Sequence, residues 1–157
     1  PGTDRKMVIA IANSQVREQI EARCREHDIG LLDVVSATSL QLDDVRIGPG
    51  AILCPFVTIT SNVRIGRQFH ANLYSYVAHD CVIGDYVTFA PGVKCNGNVT
   101  IEDHAYVGTG AIIKQGTPGL PLVIGRGATI GMGAVVTKSV PAGVTVVGNP
   151  ARPMARD

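Results

Sequence analysis

Tryptophan is missing from the chain, and phenylalanine and tyrosine bring the aromatic share to only 4%. With 45% of residues apolar, the core has to be built from Val, Ile and Ala. That suits a narrow, close-packed interior rather than a broad globular one. An excess of one charge is also lacking: 14 Lys and Arg face 13 Asp and Glu, for a net charge of +1. Such a balance excludes recruitment of nucleic acid or an anionic membrane through a basic face. No apolar run approaches membrane-spanning length, and PGTDRKM at the start is no signal peptide, so a soluble, cytoplasmic protein is expected. Cys24, Cys54, Cys81 and Cys95 lack any CxxC spacing. They read as buried free thiols, with zinc or disulfide chemistry as the alternative. At 157 residues the chain fits one domain with a small appendage.

What the chain does have is a period of six. Every sixth position from Ile47 is apolar: Leu53, Ile59, Ile65, Ala71, Val77, Ile83, Phe89, Cys95, Ile101, Val107 and Ile113 follow without a break. Two residues before each runs a second series, from Val45 and Ala51 to Ala105 and Ala111, mostly small and apolar except at Ser75. The register breaks at KQGTPGLP (114–121) and resumes at Ile124, Ile130 and Val136, so that segment should be an extruded loop. A six-residue period is neither helical nor simple strand alternation. It fits a solenoid in which each hexad is a short strand plus a turn and three hexads close one triangular coil. Residues n and n+18 should then stack, which sets Ala71 against Phe89 and Ala51 against Phe69. Gly48, Gly66, Gly84, Gly108, Gly125 and Gly131 follow the apolar position and suit corners that need backbone freedom.

Residues 1–44 read differently. MVIAIAN (7–13) has the pattern of a buried strand, and Asn13 or Ser14 can cap a helix. That helix should present Val16, Ile20 and Cys24 on one face and end at Gly30. LLDVVS (31–36) is a further strand. This is one βαβ unit, too small to bury a sheet by itself and without a glycine-rich phosphate loop.

Four histidines could carry chemistry. His27 falls late in a polar helix, where solvation is expected, and His70 should point outward after core Phe69. His79 sits at a corner beside Asp80. A carboxylate next to an imidazole fixes its tautomer and stabilises its protonated form, which makes a better general base; a plain surface pair is the competing reading. Eighteen residues beyond His79 is Gly97, whose backbone N–H should lie one coil above the imidazole with no side chain in the way. A base and an exposed backbone donor are the parts acyl transfer requires.

AHDCVIGDYVTFAPGVKCNGNV, GTGAIIKQG, IGMGAVVTKSVPAGVTVVGNPAR and VIAIAN together resemble the hexapeptide-repeat acyltransferases, over about residues 7–153. The branch they resemble holds sialic-acid O-acetyltransferases and nucleotide-aminosugar N-acetyltransferases. The resemblance implies a mainly β chain: a left-handed parallel β-helix over 45–149, a partial α/β segment over 1–44 and a tail over 150–157. It also implies a homotrimer with sites between subunits, acetyl-CoA as donor, no metal, and direct transfer without an acyl-enzyme. By position, His79 matches the general base and Asp80 the acid that raises its basicity. Asn72 matches a residue contacting the acceptor sugar, and Gly97 a backbone donor near the thioester. Thr88, Thr109, Gly131 and Met132 match positions lining the pantetheine channel. Relatives begin with a βαβ segment holding a glycine-rich nucleotide site, and Pro1–Asp4 reads as an arbitrary start after it, so nucleotide recognition should be incomplete here.

The leading expectation is N-acetylation of a nucleotide-linked amino sugar of the bacillosamine or perosamine type. O-acetylation of sialic acid or another sugar would use the same base. From other classes come a γ-carbonic-anhydrase-like metal hydratase, which needs three converging histidines, and a non-enzymatic scaffold.

Overall fold

The computed structural model describes residues 5–154; Pro1–Asp4, with the start reading attached to them, lie outside the described residues. The chain forms a parallel β-solenoid of about six turns with one helix near its N-terminus. Its first face stacks Val34–Val35, Ile52–Leu53, His70–Ala71, Thr88–Phe89, Tyr106–Val107, Thr129–Ile130 and Thr145–Val147, closed by an antiparallel Arg152–Pro153. Its second face stacks Leu40–Gln41, Thr58–Ile59, Tyr76–Val77, Lys94–Cys95, Ile112–Ile113 and Val135–Val136. The third runs from Val45–Ile47 through Val63–Ile65, Val82–Ile83 and Val99–Ile101 to Leu122–Ile124. The repeat therefore begins ahead of residue 45, because 34–35 and 40–41 already pair into the solenoid, and the tail after 150 supplies a closing strand.

The predicted stacking holds. Val77 pairs with Ile59 below and Cys95 above, a spacing of 18, and Phe89 lies over Ala71. After the 114–121 loop the spacing grows to 23, with Thr100 opposite Val123, so the five extra residues leave the coil without disturbing it. Every position of the apolar series from Leu53 to Ile113 is buried. Ser75 satisfies its hydroxyl inside the core by donating to the Ala90 carbonyl and accepting from the Val93 N–H.

The corners obey a third period-six series that the apolar pattern does not reveal. Asp44, Gly50, Phe56, Asn62, Gln68, Tyr74, Asp80, Tyr86, Gly92, Asn98, His104 and Gly110 all have positive φ. The corner glycines preceding these positions serve another purpose than the expected backbone freedom. Gly66 has no positive φ, yet a β-carbon on it would stand 2.8 Å from the Asp85 nitrogen and the Gly84 carbonyl carbon. Close approach of successive coils, not torsion, selects glycine there.

Helix α1 (Ser14–Glu26) is capped by Asn13, whose Oδ1 accepts the Val16 N–H at 3.0 Å. Its buried face differs from the expected one. Val16 is exposed and Ile20 half-buried; Arg17 and Glu21 face the solenoid instead, while Cys24 is buried as expected, its Sγ 3.4 Å from Met7 Sδ. The Arg17 guanidinium, fully buried, donates to the carbonyls of Ile11, Ala12, Gln68 and Tyr86, and burial brings its pKa down to about 10. Glu21 meets Arg67 at 2.8 Å. The N-terminal unit thus docks through charge and backbone carbonyls rather than an apolar stripe. Within it, only Lys6–Met7 pairs with Gly30–Leu31 as a parallel ribbon, and of residues 7–12 only Ile9 is buried; the rest of the expected strand is a segment lying over the first face.

Candidate active site

Residues 78–80 form the corner between the second and third faces. Asp80 has φ 58°, and its N–H donates to the Ser61 carbonyl of the coil below at 3.2 Å. This anchoring lets both side chains project outward, with His79 61% and Asp80 44% exposed. His79 Nδ1 lies 2.7 Å from Asp80 Oδ2. Asp80 is held below the ordinary carboxylate range by its hydrogen bond to His79 first and to Asn62 second. A carboxylate in that state only accepts, so Nδ1 carries the hydrogen, and the neutral form of the ring then has its lone pair on Nε2. Among the described residues Nε2 has no hydrogen-bond partner.

Gly97 tops this pair. A β-carbon on it would stand 2.6 Å from the imidazole Cε1 and 2.7 Å from Nε2, so any side chain would displace the ring. Its carbonyl accepts the Gly116 N–H at 3.0 Å, which ties the corner to the 114–121 loop. Its own N–H donates to no described residue. Behind them in the core lie Cys81 and Cys95, both buried, with Cys81 Sγ 3.2 Å from the Asn96 carbonyl. Cys24, Cys54, Cys81 and Cys95 are all free thiols.

The remaining expected site residues fall elsewhere. Asn72, Thr109, Gly131 and Met132 share the corner between the first and second faces on rising coils, with Thr109 exposed and Met132 81% exposed. The second face separates them from His79 within one chain. Thr88 is buried on the first face and meets that group only at Asn72. There it lines a cavity of about 270 Å³ with His70, Asn72, Cys54, Ala10 and Ala12. His70, expected to point outward, is only 7% exposed in the same cavity, because residues 9–12 cover it. Burial first and the Arg17 charge second push its pKa down to about 4, against a raising contribution from the Ile9 backbone. Among the described residues, the Nε2 of His70 and Oγ1 of Thr88 have no hydrogen-bond partner. His27 is exposed at the end of α1, and His104 stacks on Tyr86 at a third corner. Among the described residues no three His, Cys, Asp or Glu side chains gather into a metal-binding group.

Two contacts near the base have no counterpart in the sequence reading. The Tyr76 hydroxyl donates to Asn96 Oδ1 at 2.9 Å, and Asn62 Nδ2 donates to Asp80 Oδ1. The eighteen-residue register was enough to place Asn62 under Asp80, since 62 and 80 differ by one coil.

No protein-family model matches the chain. It is 62% identical over 148 residues to GDP-perosamine N-acetyltransferase of Escherichia coli O157:H7, covering 94% of this chain and 67% of that one. Among solved structures, WeeI from Acinetobacter baumannii AYE superposes with a TM-score of 0.96 at 65% identity, over 98% of this chain and 73% of that one. The acetyltransferase domain of PglB from Neisseria gonorrhoeae FA1090, in complex with acetyl coenzyme A, gives a TM-score of 0.87 at 27% identity. That match covers 95% of this chain and 70% of the other. The chain spans 67% to 73% of the length of these relatives.

Proposed function

The chain belongs to the hexapeptide-repeat acyltransferase family, and from that premise we propose that it moves the acetyl group of acetyl-CoA onto the amine of a nucleotide-linked amino sugar. The observation that carries this reading is the His79–Asp80–Gly97 corner, where the exposed imidazole is held by Asp80 and lies against the backbone of buried Gly97, whose N–H donates to no described residue. His79 Nε2 removes a proton from the sugar amine as the nitrogen attacks the thioester carbonyl. The new C–N bond places negative charge on the carbonyl oxygen, which the Gly97 N–H stabilises. Collapse breaks the C–S bond, and the imidazolium returns the proton to the departing thiolate. Asp80, ionised throughout, stabilises the imidazolium in between.

The donor runs along the neighbouring corner marked by Thr109, Gly131 and Met132, and Asn72 contacts the acceptor. Those residues and His79 lie on different corners of one chain, so the complete site is built from two copies, and a homotrimer closes it three times over. The uncharged ridge of Phe56, Leu73 and Tyr74 on the Asn72 corner, with Phe56 and Tyr74 stacked 5.0 Å apart, is the surface a neighbouring copy covers.

An amine acceptor is favoured over a hydroxyl because the curated relative at 62% identity is an N-acetyltransferase of GDP-perosamine. The test is a panel of GDP- and UDP-linked 4-amino sugars and free sialic acids, each incubated with acetyl-CoA and read by mass spectrometry. An amide product on a nucleotide-linked amino sugar is expected. Acetyl ester on sialic acid alone would replace this reading with the O-acetyl one.

A further inference from the structure

Asp80 uses both of its carboxylate oxygens. Oδ2 meets His79 Nδ1 at 2.7 Å, and Oδ1 accepts a hydrogen from Asn62 Nδ2. Asn62 occupies the same corner one coil below and has the same left-handed backbone, φ 58° at both residues. Each is pinned through its N–H to the next coil down, Asp80 to the Ser61 carbonyl and Asn62 to the Asp43 carbonyl at 3.0 Å. The two side chains therefore stand on rigid, stacked corners, although both lie at the surface.

We propose that Asn62 is a positioning residue for acyl transfer, whose amide holds the Asp80 carboxylate in the one orientation that keeps His79 on its Nδ1–H tautomer with Nε2 presented to substrate. This rests on the reading of His79 as the base. An exposed carboxylate–imidazole pair is weakly held by itself, because water competes for both groups and both side chains lose rotamer freedom on pairing. A second donor on the far oxygen removes the carboxylate's freedom to turn. The chemistry of that donor matters. A Lys or Arg would draw the negative charge away from the imidazole, and an acid would repel the carboxylate. An amide fixes Asp80 and leaves its charge available to the imidazolium.

Asparagine also suits the backbone here, since it tolerates positive φ better than most residues. The titratable groups around the pair are few. His79 shares the turn and Cys81 lies behind it in the core. One coil below are Asp43 and Asp44, and Asp44 is engaged by Arg64 at 2.7 Å and Arg46 at 3.8 Å. The corner above presents Asn96, Gly97 and Asn98, all uncharged.

Two substitutions separate positioning from mere structure. Asn62→Gly removes the amide while accepting the positive φ, so the fold should persist by thermal melting. Its kcat should fall about 2- to 5-fold with KM for acetyl-CoA unchanged. The acid limb of its kcat profile should move to lower pH, because an imidazolium with a wandering carboxylate is less stabilised. Asn62→Asp keeps the shape and sets two carboxylates together. At low pH they share a proton and the donor is restored; as pH rises they repel and Asp80 turns away. Its activity relative to wild type should therefore decline with rising pH, and 15N NMR of His79 should show the Nδ1–H tautomer losing population over the same range.

Wild-type kcat and acid limb in both variants would overturn the proposal. So would equal losses in both with no change in pH profile, which is the mark of a structural role. Failure of the base reading has a different signature: His79→Ala would then remain active, whereas failure of the Asn62 proposal alone leaves His79→Ala inactive.

Discussion

Gly97 lies directly over His79, so close that a β-carbon on it would stand 2.6 Å from the imidazole Cε1 and 2.7 Å from Nε2. Because Gly97 has no positive φ, alanine is tolerated by the backbone there, and its three nearest new contacts are all atoms of the imidazole. Gly97→Ala should swing the imidazole out of its 2.7 Å contact with Asp80. We expect kcat to fall by roughly 10- to 100-fold, the cost of a misplaced base, with the melting temperature little changed. Steady-state kinetics beside thermal melts check this; unchanged kcat would mean the ring does not act where it stands.

His70 gives the fold a pH dependence. Its pKa is pushed down to about 4 by burial, while in the unfolded chain it is that of free histidine, about 6.5. Between these values the unfolded chain binds a proton that the folded one does not. Stability therefore rises with pH through this window and is lost as pH falls from about 6.5 towards 4, by at most about 3 kcal/mol. Urea unfolding at pH 7 and pH 4.5 should show the loss, and His70→Gln should reduce it.

Asn72 and His79 occupy different corners of one chain, so an interface site predicts complementation. If Asn72→Ala and His79→Ala are each impaired, co-expressed chains should regain activity, up to about a quarter of wild type for random mixing around a closed ring. Light scattering should give the mass of three chains. Absence of any regain, or a monomeric mass, would return the site to a single chain.

Much of this fold is legible in the sequence. The apolar series from Ile47 to Ile113 specifies the coil because each hexad repeats one burial pattern, and register follows from counting. The His79–Asp80–Gly97 corner is legible for the same reason, as all three lie within two adjacent coils. The N-terminal unit is not. Periodicity assigns Val16 and Ile20 to the buried face of α1, but the surface they would meet is a solenoid corner edged with backbone carbonyls, which Arg17 satisfies better. His70 reads as an outward residue on its strand, and it is buried, with Thr88 beside it, because residues 9–12 fold back over the first face. A repeat pattern records what each coil buries inside itself, not what a separate segment covers from outside.

The central claim is that His79 takes the proton from the acceptor amine, supported by Asp80. The most direct measurement is the single-turnover rate of acetyl transfer from acetyl-CoA to GDP-perosamine, comparing wild type with His79→Ala and with acetyl-CoA binding followed by calorimetry. The account predicts a rate 10²- to 10⁴-fold lower, roughly the contribution of a general base, with acetyl-CoA affinity and melting temperature retained and a smaller loss in Asp80→Asn. A His79→Ala variant that transfers acetyl at close to the wild-type rate would contradict it.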